Sequence, residues 1–261
     1  MSSDYVLAVD SSTSVGWVTL ARIKDDSRVE ILTEQSIKAY SHAEALLPAV
    51  HSILETHSIT PSALRFLVFG DGPGSFTGLR IGASVISGLA FGIAAKVLGV
   101  ASHAGIACAY ASSVLFSDHV TSGSAPLNIR VFSDGGDTLI SSTFRIFNQV
   151  AGGYRCELVE LMEMADHGRI VSSSDTILIG IEGLWKGRIP IPDIEEMVQP
   201  DTLPISSGLI SALYATGDGE DIAGGQSQFQ HRGFVTDSTE SCAIRYGQPI
   251  KAMTLFQRRG W

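Results

Sequence analysis

Two short stretches hold the residue types that could do chemistry. The first is Asp10-Ser11-Ser12-Thr13-Ser14, one carboxylate and four hydroxyls set between apolar runs that end at Val9 and resume at Val15. A bend of this kind can turn backbone N–H groups towards a phosphate while the aspartate holds magnesium through water. Close approach of backbone to phosphate calls for glycine, and Ser12, followed by Thr13, stands where that glycine is expected. The same residues also serve a plain polar bend in which the aspartate caps its own backbone. The missing glycine favours the plain bend over a working ATP site. The second stretch is GDGPGSFTGLRIG, Gly70 to Gly82. Leu79 follows Gly78 where a P-loop has lysine, and Ser75 stands where a dinucleotide fingerprint has its third glycine. Pro73 and Thr77 occupy the glycine positions of a nucleophile elbow on Ser75. What remains is a strand-to-helix turn. Its Ser75 or Thr77 can cap the helix, whose free N–H groups suit an anion. Further on, Gly78, Gly82, Val85, Leu89 and Gly92 share one stripe at helical spacing. So bare a stripe lets another helix approach closely, from this chain or from another, and the spacing alone does not choose between them.

Other chemistries find little support. The seven histidines (His42, His51, His57, His103, His119, His167 and His231) show no HxxxH, HExxH or cysteine partner at ligand spacing, so no metal site is expected. Cys108 lies in an alanine-rich, helix-like run without a histidine signature. The three cysteines are far apart and form no CxxC, which fits free thiols in a reducing compartment. Asp10, Asp134 and Asp137 could act as an acidic group only if two hairpins faced each other. The net charge of −9 argues against the chain gripping nucleic acid alone. The start, MSSDYVLAVD, lacks the basic and apolar regions of a signal peptide. The longest uncharged apolar stretch, Ile81 to Ala95, has 15 residues, against roughly 20 for a membrane span. It reads as a buried helix of a cytoplasmic protein.

The elements that must position these residues form a repeated outline. With 44% hydrophobic residues the chain can bury a substantial core. In the first half, VLAVD and GWVTLARI predict a β-hairpin with Asp10 at its bend, followed by a strand over Val29 to Lys38. SHAEALLPAVHSILETH predicts a helix, with Ser41 as N-cap and Glu44 completing a capping box. The strand RFLVFG, the glycine loop and a helix from Thr77 to Lys96 complete the half. The second half runs NIRVFSD, a turn and TLISSTFRIF, with Asp134 at the bend, then a strand over Glu157 to Met162. DTILIGIEG supplies a strand ending in Gly180-x-x-Gly183. Asp10 to Asp134 and Gly70 to Gly180 are offset by 124 and 110 residues, similar separations that suggest two α/β subdomains of one type. ISSGLISALYA predicts a helix, GDGEDIAGGQSQFQHRG a loop, and CAIRYGQPIKAMTLFQRRGW a segment packing on the body. The division is 1–105, 106–215 and a loop-rich tail, 216–261.

Together these residues resemble the TsaB (YeaZ) family. The family's hallmark, G-x-G-P-G-S-F-T-G-[LV]-R-I-G, is matched from Gly70 to Gly82. L-A-V-D-S-S-T is similar to its opening hairpin, and His42-Ala43-Glu44-Ala45-Leu46-Leu47-Pro48 to its H-[ST]-x-x-L-[LM]-P helix. The match covers about residues 5 to 105. The second half departs: Gly135-Gly136 replace the family's Ala-Arg after Asp134, Leu139 falls where Glu is usual, and the closing P-x-Y-L-R is only echoed by Pro249-Ile250-Lys251-Ala252.

The resemblance implies an α/β architecture of two actin-like (acetate and sugar kinase, heat-shock ATPase, actin) subdomains, each a mixed sheet with flanking helices. It also implies that this fold's own active site has been lost. Family members are platforms for the related catalytic subunit TsaD, joined by the ATPase TsaE, in threonylcarbamoyl transfer to the adenosine beside the tRNA anticodon. An older label for them is glycoprotease-like. On that basis the partner-binding residues are His42, Leu46, Phe76, Thr77, Gly78, Arg80, Gly82, Val85 and Leu89, and the degenerate phosphate hairpin is Asp10, Ser12 and Thr13. No catalytic residue, metal or cofactor is expected on this chain. ATP or ADP and metal belong to the partner subunits, tRNA is met only through the complex, and a homodimer is an option when the partner is absent. The competing expectation is a nucleotide-binding phosphotransferase or hydrolase of the same fold using Asp10 and Asp134.

Overall fold

The computed structural model describes residues 4–24, 29–117, 126–134, 139–148, 154–164, 176–181, 196–199, 201–214 and 235–237. The first hairpin is β1 (Asp4–Asp10) and β2 (Gly16–Ile23), followed by β3 (Val29–Ile37) and α1 (His42–Thr56). Next come β4 (Leu64–Gly70), α2 (Phe76–Phe91), β5 (Lys96–Val100) and α3 (Ser102–Ser117). The second hairpin is β6 (Leu127–Asp134) and β7 (Leu139–Asn148), followed by β8 (Tyr154–Met164), β9 (Thr176–Ile181), β10 (Glu196–Val198), α4 (Ile205–Tyr214) and β11 (Val235–Asp237).

The outlines repeat in three dimensions. One sheet has the order β11-β5-β4-β1-β2-β3 and the other β10-β9-β6-β7-β8. In each, an antiparallel three-stranded meander is extended by parallel strands beside its first strand. The registers also refine the expected glycine match. Phe69 lies opposite Val9, which puts Gly70 level with Asp10, whereas Gly180 lies opposite Phe132, two residues short of Asp134. Gly180 is therefore not the counterpart of Gly70, and Gly183 lies outside the described residues.

Alternation within β1 and β4 explains the layers. Leu7, Val9, Leu67 and Phe69 join a core under α1 and α2, while Val6, Ala8, Phe66 and Val68 face α3 and α4. Strands apolar on both faces belong in the middle of a sheet covered on both sides. β3 fits the edge, with Glu30, Glu34 and Gln35 partly or fully exposed. Helices α3 and α4 lie between the two sheets and cross closely, a Cβ on Gly208 falling 2.0 Å from the Gly105 carbonyl oxygen. Thr19 Oγ1 and Ser206 Oγ, 2.7 Å apart, satisfy each other between β2 and α4.

Four expectations change. The helix predicted to reach Lys96 stops at Phe91, capped at Gly92, and Lys96-Val-Leu-Gly-Val100 is a buried parallel strand instead. Ser41 precedes α1 but makes no side-chain cap, because its hydroxyl donates to the Lys38 carbonyl at 2.6 Å. The stretch from 216 to 241, predicted as loop, contributes β11, which pairs antiparallel with β5. Its other residues and the segment 242–261 lie outside the described residues. The strand predicted over Glu157 to Met162 is longer, Tyr154–Met164. Among the described residues no helix is long and apolar enough to cross a membrane.

Candidate functional site

The bend after β1 and the glycine loop after β4 sit side by side, because β1 and β4 are parallel neighbours. At the centre is Asp10, wholly buried. Its Oδ1 accepts from the Ser12 N–H at 2.9 Å and the Ser12 hydroxyl at 2.7 Å. Its Oδ2 accepts from the Ser102 hydroxyl at 3.0 Å. The aspartate thus caps its own backbone, the plain alternative read from the sequence. Burial pushes its carboxyl above the ordinary range, and the hydrogen bonds from Ser12 and Ser102 pull the other way.

The glycine loop is occupied by the bend itself. Ser75 N–H donates to the Ser12 carbonyl at 2.7 Å, Asp71 N–H to Val100, and Gly72 N–H to the Ser102 hydroxyl at 3.3 Å. Ser75 Oγ then accepts from Gly78 N–H at 3.2 Å, the N-cap expected for α2. Gly72, at φ 110, takes the left-handed conformation that favours glycine. The other glycines are needed for lack of space. A Cβ on Gly70 would fall 1.9 Å from Asp10 Oδ2, and on Gly74 2.5 Å from Ser12 Cβ. On Gly78 it would fall 1.9 Å from the Ser11 carbonyl oxygen, and on Gly82 2.5 Å from Ser11 Oγ, which itself donates to the Gly78 carbonyl. The N–H groups of Asp71, Gly72 and Ser75 and the bare surfaces of Gly70, Gly74 and Gly78 are thus used within the chain, and both oxygens of Asp10 accept hydrogen bonds. Among the described residues no group of three or more histidine, cysteine or acidic side chains is placed to hold a metal ion.

The residues expected at a partner face divide into two sets. His42 is buried with its Nε2–H donating to the Thr13 carbonyl at 2.9 Å, so it clamps the bend. Leu46 is wholly buried in the core under α1 and α2. Gly78 and Gly82 press on Ser11. These four are internal, and the half of the stripe that looked free for a second protein is taken by the chain's own hairpin. The others face outward. Phe76 is 42% exposed with the Arg80 guanidinium over its ring at 4.1 Å. Thr77 and Arg80 are exposed, and Val85 and Leu89 are half-buried beside α1. Sequence reasoning missed two residues on this outer face, Leu47 at 52% and Phe91 at 96% exposure. Leu47 follows the buried Leu46 by one position, which points it away from the core, so helical phase carried the signal.

The comparisons agree with the geometry. Residues 31–173, more than half of the chain, match the family profile described as TsaD, tRNA N6-adenosine threonylcarbamoyltransferase. The chain is 36% identical over 87 residues to the tRNA threonylcarbamoyladenosine biosynthesis protein TsaB of Haemophilus influenzae, covering 33% of this chain and 35% of that one. It is also 36% identical over 95 residues to the Escherichia coli protein of the same name, covering 36% of this chain and 39% of that one. The matched segment thus spans little more than a third of these relatives. The fold is also similar to that of YeaZ from Pseudomonas aeruginosa, with a TM-score of 0.62 and 22% identity, covering 93% of this chain and 99% of that one. With the paired meander sheets and the glycine loop folded on the first hairpin, these matches establish that the chain belongs to the TsaB/YeaZ family, glycoprotease-like proteins with an actin-like fold.

Proposed function

We propose that the chain is a non-catalytic platform subunit in threonylcarbamoyladenosine biosynthesis. In this reading it docks a TsaD-type catalytic subunit through the outer face of α1 and α2, with a TsaE-type ATPase joining the assembly in the cytoplasm. The observation that carries the reading is the apolar side chains these helices leave in solvent: Leu47, Phe76 and Phe91 are exposed, and Ala45, Ile81, Val85 and Leu89 are half-buried against the core. Large apolar side chains left in solvent on neighbouring helices are characteristic of a protein contact. A Cβ on Gly88 or Gly92 meets nothing within 4 Å, so both glycines let a partner come close. The bend packed into the glycine loop, with Asp10 hydrogen-bonded to Ser12 and Ser102, supports a chain that leaves nucleotide and metal to its partners. The charge of −9 supports meeting tRNA only through the complex.

Co-purification with the TsaD-type subunit from the same source tests the docking. A complex lost on Phe91→Glu is the expected result; no complex at micromolar concentration overturns the reading. Titration with Mg-ATP tests the rest, since turnover lost on Asp10→Asn would establish the competing phosphotransferase or hydrolase. A homodimer on the same face would appear in light scattering of the isolated chain and vanish with the same Phe91→Glu substitution.

A further inference from the structure

The first two residues of α3 hold more than their own helix. Ser102 Oγ donates to Asp10 Oδ2 at 3.0 Å and accepts from Gly72 N–H at 3.3 Å, while Ser102 N–H donates to the Gly72 carbonyl at 2.8 Å. The next side chain turns to the other half. His103 Nδ1 lies 2.9 Å from Ser142 Oγ on β7, and His103 Nε2 lies 3.0 Å from Ser133 Oγ on β6, one residue before Asp134. All of these side chains are buried. We infer that the dipeptide Ser102-His103 is a clasp that fastens the two hairpins to one another and holds the two sheets in one fixed relative position.

Three features support it beyond proximity. The imidazole is saturated, both ring nitrogens facing hydroxyls that can donate or accept, so either neutral tautomer is satisfied. Burial lowers its pKa to about 3, so the ring stays neutral and needs no counter-ion. Finally, the contacts sit where the chain passes from one half to the other. Two-lobed α/β proteins commonly open and close about a hinge beside their binding cleft, and α3 is the segment that leads from the first sheet to the second. Separating the lobes would break these buried hydrogen bonds at its first turn, which penalises opening. The clasp therefore opposes hinge motion at the place where such motion would begin.

The test reads transmission across the clasp, using hydrogen–deuterium exchange on the full chain. Ser133→Ala with Ser142→Ala removes the second-half partners without touching the first half. The expected result is faster exchange, by about tenfold or more, both in Leu127–Asp134 and across the clasp in Gly70–Gly74, with α1 unchanged. Acceleration confined to β6 and β7 would mean a local contact only and would overturn the inference. Should the double variant fail to fold, Ser142→Ala alone carries the same readout. Nitrogen-15 spectra of the imidazole give an independent check: a neutral His103 with no titration between pH 8 and 4 is expected, and titration near the ordinary histidine value would overturn the clasp.

Discussion

Helix α2 carries glycines on two sides, and the two sides do opposite jobs. On the inner side Gly78 and Gly82 are pressed against Ser11, with a missing Cβ as the condition of contact. On the outer side Gly88 faces open space, as does Gly92 at the end of the stripe just past the helix, next to Phe91 at 96% exposure. The difference shows that a small-residue stripe has no single meaning. The first two turns of this one are used to seat the hairpin, and only its last turns stay open.

Substitution on the two sides should separate them sharply. Gly78→Val places a methyl inside the Ser11 carbonyl, and a displaced backbone contact of this kind is expected to cost roughly 3 kcal/mol or more. Thermal melting should fall by about 10 °C, or the chain should be insoluble; a melting temperature near wild type would show that the inner contact is wrong. Gly88→Trp makes the converse case. Removing a mid-helix glycine gains up to about 1 kcal/mol, so stability should hold or rise. Affinity for the TsaD-type partner should fall at least a hundredfold, about 2.7 kcal/mol, and undiminished binding in a pull-down would move the partner off this face.

A smaller effect comes from pH, through the clasp that continues the inner side. The folded pKa of His103 is about 3, against about 6.5 unfolded. The unfolded chain therefore binds the extra proton, and stability is complete above the unfolded value. It is lost as pH falls towards 3, by about 2 kcal/mol at pH 5. Asp10 has the opposite sign: its raised carboxyl favours folding at low pH, and that contribution is lost as pH rises through the folded value. Urea melts of wild type and His103→Gln at pH 7 and pH 5 cancel the Asp10 contribution, and equal pH slopes in the two would refute the assignment. The smallest contrast is at the two helix starts. Ser75→Ala removes a real cap and should cost about 1 kcal/mol. Ser41→Ala removes none and should change stability by no more than a few tenths of a kcal/mol.

Much of this was legible in the chain. Alternating and continuous apolar runs located the hairpins and β4, because burial on one or both faces of a sheet leaves a direct imprint on residue type. The repeat was visible through Asp10 and Asp134, although Gly180 misled by two residues since the parallel register is not written in the strand itself. β5 was hidden because Lys96-Val-Leu-Gly-Val100 follows a helix with only Gly92 to mark the break, and a short apolar run fits either state. β11 was hidden because a strand of three residues owes its existence to β5 beside it. At the site, the self-capping bend favoured for Asp10 is observed, and Ser75 is the one of two candidate caps that caps α2. His103 was not, since its partners Ser133 and Ser142 lie 30 and 39 residues away and nothing in its neighbours announces them.

The inner glycines 70, 74, 78 and 82 recur at intervals of four, and each abuts residue 10, 11 or 12 of the bend. The loop and the bend are in effect a mould and its casting. Bulk can be added to neither surface alone, so this segment can vary only where it looks outward, at positions such as 76, 77 and 80. If the outer face docks a partner as proposed, a few surface substitutions can change that contact while the first hairpin stays fixed, so partner choice can evolve without putting the fold at risk.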